Sequence, residues 1–96
     1  MDNQKQVQLQ ATPEVVKGVY SNIMQVQHTK EEFVLDFMNI FPPMGALTAR
    51  VVLSPGHLKR MIRVLEENLK KYETSFGGIQ EAQTPENPGM GFHIQN

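Results

Sequence analysis

Residues 31–43 read EEFVLDFMNIFPP, and the fold turns on this segment. Strand alternation puts Phe33, Leu35 and Phe37 on one face. The opposite face carries Val34, Asp36, Met38 and Ile40, apolar except for a single carboxylate. A strand that is apolar on both sides requires cover on both sides. The question is where a chain of 96 residues finds it.

Upstream, Tyr20, Met24 and Val26 occupy even positions while Gln25 and Gln27 face the other way, which predicts a strand within Val19–His28. The polar HTKEE stretch makes a turn into a second strand over Phe33–Ile40. Downstream, the prolines and Gly45 of FPPMGA interrupt the chain. A third strand follows over Leu47–Leu53, with Leu47, Ala49, Val51 and Leu53 on one face.

These runs predict an antiparallel meander whose register comes from the turns. A four-residue first turn sets His28 opposite Phe33, hence Gln25 opposite Asp36 and Ile23 opposite Met38. A second hairpin centred near Pro43 sets Asp36 opposite Arg50 and Val34 opposite Val52. One face then reads Met24, Val26, Phe33, Leu35, Phe37, Ala49, Val51 and Leu53. The other reads Ile23, Gln25, Val34, Asp36, Met38, Thr48, Arg50 and Val52.

Ser54-Pro55 is a helix start: a capping hydroxyl followed by an imino acid where no N–H partner is needed. Leu58, Met61, Ile62, Leu65, Leu69, Tyr72 and Phe76 then recur as one helical stripe, closed by Gly77-Gly78. The helix over Pro55–Tyr72 is about 27 Å long and an eight-residue strand about 26 Å. The helix is therefore expected to lie along the sheet and cover its first face. At the N-terminus, Val7, Leu9 and Ala11 alternate and suggest a short fourth strand. Thr12-Pro13-Glu14 opens a single helical turn that Gly18 ends. Residues 80–96, rich in proline and glycine, are expected to be disordered, with Met90, Phe92 and Ile94 able to dock on a partner's sheet edge. The expected fold class is α+β: an antiparallel three- to four-stranded β-meander followed by one long C-terminal α-helix packed on one face. This domain occupies residues 7–79, between a flexible start at 1–6 and the tail.

Twenty per cent charged residues and a net charge of −1 give no global attraction to nucleic acid or anionic lipid. A domain of this size buries only about 60–65% of its chain surface. With no cysteine, neither a disulfide nor a thiolate metal site supplements the core, and oligomerisation is the remaining route. The polar N-terminus and the lack of a long apolar run predict a cytoplasmic protein with no membrane association. The cover expected for the second face is a second copy of the chain. The candidate interface is Ile23, Gln25, Val34, Asp36, Met38, Arg50 and Val52, in which Ile23, Val34, Met38 and Val52 are each worth about 1.5–3 kcal/mol when buried. The alternatives are an open face or cover by the N-terminal segment.

For chemistry, Ser21, Ser54, Ser75, His28, His57, His93 and Asp36 form no recognisable nucleophile motif, and Ser54 is committed to capping. His28 with Glu31 and Glu32 in a turn reads as solvated rather than as a metal site, and no glycine loop has phosphate-binding spacing. The expectation is no enzyme, no cofactor and no metal. Between Pro55 and Tyr72 five basic residues stand against two acids, an excess of three. Lys59, Arg60 and Arg63 are the candidate contact for an anion or nucleic acid. Farther along, Arg63 with Glu67, Glu66 with Lys70 and Glu67 with Lys71 have ion-pair spacing.

The segments GVYSNIMQVQHTKEEFVLDF and ARVVLSPGHLKRMIRVLEENLKKYE, with FGGI after them, resemble a family of short bacterial and archaeal proteins known only as a domain of unknown function. The likeness spans about residues 18–79 and implies no activity, ligand or catalytic residue. The function expected is a small non-enzymatic oligomeric module acting through protein interaction. The alternatives are a single-stranded nucleic-acid-binding protein using the basic half of the helix, and a chaperone-like component using the apolar sheet face.

Overall fold

A computed structural model describes residues 6–85. The elements are α1 (Pro13–Lys17), β1 (Ile23–His28), β2 (Phe33–Phe41), β3 (Met44–Leu53) and α2 (Pro55–Phe76). The three strands form one antiparallel sheet in the order β1-β2-β3, and the helix follows it. Helix α1 is one turn, as its signals require. The Thr12 hydroxyl accepts from the Val15 N–H at 3.3 Å, and Gly18 ends the turn at φ +78°, a conformation only glycine adopts freely.

The register is the expected one at the points that matter. In β1 and β2, His28 faces Phe33, Gln25 faces Asp36 and Ile23 faces Met38. Across β2 and β3, Asp36 faces Arg50 and Val34 faces Val52. The first turn is fastened by Thr29, whose hydroxyl accepts from the Glu31 and Glu32 N–H groups, both at 3.2 Å. The His28 and Phe33 rings close the ladder above it, 5.2 Å apart.

The second hairpin is tighter than FPPMGA suggested. Strand β2 runs to Phe41 and β3 begins at Met44, so only Pro42 and Pro43, joined by a cis bond, lie between them. Prolines cannot donate to a ladder, but confined to the turn they leave Met44–Ala46 free to pair. Gly45 is needed there. A Cβ on it would lie 2.6 Å from Ile40 Cδ1, because Ile40, directly opposite, lies over it.

Two further differences change the face assignments. The ladder is irregular between Phe37 and Met38: Phe37 pairs with Ala49 but Met38 with Leu47, leaving Thr48 as the extra residue of a bulge. The Thr48 hydroxyl donates to the Phe37 carbonyl at 3.0 Å. Because a one-residue shift reverses the alternation, Leu47 moves off the face of Ala49, Val51 and Leu53 and joins Ile23 and Met38. In addition, residues 7–11 form no strand, and Val7 and Leu9 are exposed.

The largest correction concerns α2. The Ser54 hydroxyl accepts from the His57 N–H at 3.2 Å, and the Gly77 N–H bonds the Glu73 carbonyl at 2.8 Å. Capped in this way, the helix runs 22 residues, but none of them is buried. Leu58 and Met61 are half-buried, whereas Ile62, Leu65, Leu69, Tyr72 and Phe76 are exposed, Leu65 by 59%. The helix meets the sheet only near their junction and does not cover it. The radius of gyration, 17.1 Å, exceeds the roughly 13 Å of a compact chain of about 100 residues. Among the described residues the buried apolar core is Leu35, Met38, Ile40 and Leu53.

A side-chain amide extends the ladder past the start of β1. Asn22 Oδ1 accepts from the Ile40 N–H at 2.9 Å while Asn22 Nδ2 donates to the Ile40 carbonyl at 3.0 Å. The Ser21 hydroxyl beside it is shared between the carbonyls of Ile23 and Met38. Asn22→Ala leaves both Ile40 backbone groups unpaired and is expected to destabilise the protein by about 1–3 kcal/mol in urea unfolding. Asn22→Asp, which keeps the acceptor but sets an anion against the Ile40 carbonyl, should not restore the loss.

Candidate functional site: a two-faced sheet and a bare helix stripe

Burial runs across the sheet rather than through it. Every residue of Phe33–Ile40 on the central strand is buried or half-buried, whichever face it occupies, while β1 beyond Ile23 and most of β3 are exposed. Neighbouring strands flank β2 on both sides, and of the α2 stripe only Leu58 and Met61 are half-buried. Leu35 is 2% exposed, but its partners across the ladder, Val26 and Val51, are 46% and 43% exposed.

The two faces differ in kind. The first has three successive rows, His28–Phe33–Leu53, Val26–Leu35–Val51 and Met24–Phe37–Ala49, in which only the imidazole is polar. The second holds all seven candidate interface residues. Ile23 pairs with Met38 and Val34 with Val52, on either side of the row Gln25–Asp36–Arg50. Met38 is buried, Ile23 and Val34 are half-buried, and Val52 is 51% exposed.

The polar row is internally satisfied on one side. Arg50 donates through Nε to Asp36 Oδ1 at 2.6 Å and through Nη2 to Oδ2 at 2.8 Å, a bidentate fork. These hydrogen bonds hold the Asp36 carboxyl below its usual 3.8, outweighing the burial that would raise it, with the guanidinium charge helping. Asp36 in turn raises Arg50. The adjacent strands β2 and β3 thus present one neutralised, oriented pair in the middle of the face.

On α2, Lys59, Arg60 and Arg63 lie on the side away from the apolar stripe. Arg60 Nη2 sits 2.9 Å from His57 Nδ1. The shallow surface they line with Gly56, Ile62 and Glu66 is made by one helix alone and forms no enclosed cavity. None of the three expected helix pairs closes to ion-pair distance; among the described residues only Asp36 and Arg50 do. Exposed charges gain little by pairing. Sequence reading missed Asn22 and Thr48; the signal available for Asn22 was a Ser-Asn pair directly ahead of a strand. The expected docking segment at Met90, Phe92 and Ile94 lies outside the described residues.

The sign of the acid response follows from Asp36. Its carboxyl is lowered in the folded chain, so its contribution is complete above the unfolded value and is lost as pH falls through the lower folded value. The gap in urea midpoint between the protein and Asp36→Asn should therefore be constant near neutrality and shrink below about pH 3.8. A gap independent of pH would contradict the pairing.

The chain matches no curated protein and no solved structure. No described helix is long and apolar enough to cross a membrane. The family described as Protein of unknown function (DUF3467) matches residues 1–81, and the chain, with its three-stranded sheet followed by a long helix, belongs to that family.

Proposed function

We propose that the protein is a non-enzymatic, self-associating module that works by binding other macromolecules. The observation that carries this reading is the amount of apolar surface one chain leaves uncovered: Met24, Val26 and Val51 on the first face, Val52 and Leu47 on the second, and five stripe residues of α2 are exposed. Contiguous apolar surface of this extent marks an interaction site. The Asp36–Arg50 fork suits the second face to contact with a second copy, because a neutralised pair fixes register there without leaving a lone charge to desolvate.

The alternative favoured by a specific feature is single-stranded nucleic acid on the track of Lys59, Arg60 and Arg63. These three point away from the stripe and stay accessible when the stripe is covered.

Light scattering should give a mass that is a multiple of 10.9 kDa. Val52→Glu, at an exposed site that the fold tolerates, should lower that mass. A wild-type mass of one chain would overturn self-association, and an unchanged mass for Val52→Glu would remove the second face from it. In a low-salt mobility shift with single-stranded DNA or RNA, binding that falls with salt and is abolished by Lys59→Glu with Arg60→Glu would establish the alternative. No shift at low salt would end it.

A further inference from the structure

The stripe of α2 and the first face of the sheet, which continues from the three rows through Asn39–Ala46 to Phe41–Met44, are both largely apolar and of matching length, and from Ile62 onward the stripe is exposed. A 22-residue helix is about 33 Å long, and strands of nine and ten residues are about 30–34 Å. They stay apart because of the connection between them. Leu53 is still paired with Phe33 in the ladder, and Pro55 is already the first helical residue. Ser54 is the only residue between, and its hydroxyl is held by the His57 N–H. Strand-to-helix connections in compact folds run about two to six residues. One residue, followed by a proline of fixed φ, carries the helix onward from the sheet's end instead of back across it.

We infer that the first face of each sheet is covered by α2 of a second copy of the chain, in a reciprocal exchange. A second copy is the occupant because it brings both complementary surfaces in equal number: each stripe finds a face and each face a stripe, with neither left over. A two-fold arrangement of this kind is closed. The area suffices. A helix about 33 Å long and 10 Å wide has a footprint of about 330 Å², and giving one stripe while receiving another doubles this for each subunit. The result approaches the roughly 800 Å² per partner of a standard stable interface. The rows Val26–Leu35–Val51 and Met24–Phe37–Ala49 supply the floor, with Leu65 at the middle of the stripe.

The inference rests on the self-association reading but uses different surface from the Asp36–Arg50 face. Two distinct two-fold contacts on one chain would join four copies.

The test exploits the lack of cysteine. Leu65→Cys chains are mixed with Val51→Cys chains, refolded together and treated with a short bis-maleimide. The double variant Val51→Cys/Leu65→Cys is treated separately when dilute, and masses are read under denaturing conditions. The exchange predicts a mixed covalent dimer of the two single variants, with the double variant linking between chains. Linkage confined to Leu65→Cys with itself, or closure within single double-variant chains, would overturn the exchange. If light scattering still shows association in those cases, only the exchange fails; a single-chain mass removes both readings. Leu65→Gln, on an exposed helix site, should keep its circular dichroism while losing mass in solution, and an unchanged mass would also count against the exchange.

Discussion

A sheet of three strands can screen only its middle one. The two-sided apolar pattern of β2 is accommodated here by placing that strand between β1 and β3, which shields it laterally on both faces. The outer strands then have no neighbours to do the same for them, and Met24, Val26, Leu47, Val51 and Val52 stay exposed. Everything unusual about the molecule follows from this constraint, because the one element able to lie over a face leaves the sheet at its end.

The junction Leu53-Ser54-Pro55 converts a local capping preference into a global consequence. The serine hydroxyl and the proline ring start a well-formed helix at once. That efficiency removes the slack a chain needs to turn back. An isolated amphipathic helix gains most of its stability from what its apolar side packs against, and the α2 stripe is exposed from Ile62 onward in the single chain. Burial of its stripe and burial of the outer strands answer the same deficit. The basic residues Lys59, Arg60 and Arg63, on the far side of the helix, are untouched by it.

Much of this was legible in the residues themselves. Turn length set the register, so that Asp36 could be placed opposite Arg50 and Gln25, and hydroxyl, proline and glycine signals placed both helices. What escaped has physical reasons. The bulge at Thr48 was hidden because Leu47, Ala49, Val51 and Leu53 alternate without interruption, and threonine is at home on either face. The pairing of Met44–Ala46 was hidden because two prolines look like a long break when they fill a two-residue turn. The Asn22 amide acts as a substitute for backbone, which no periodicity can announce. The course of α2 was misread for a deeper reason: a helical stripe reveals which side is apolar, while the surface it meets depends on where the preceding strand points.

The central claim is that covering the surfaces left bare by one chain stabilises the fold, and covering them takes another chain. Stability must then depend on concentration. Urea unfolding over a hundred-fold dilution should lower the free energy of unfolding by about 2.7 kcal/mol per dimer, with the midpoint falling steadily. A midpoint that does not move over that range would show that the single chain is self-sufficient, and would contradict the account.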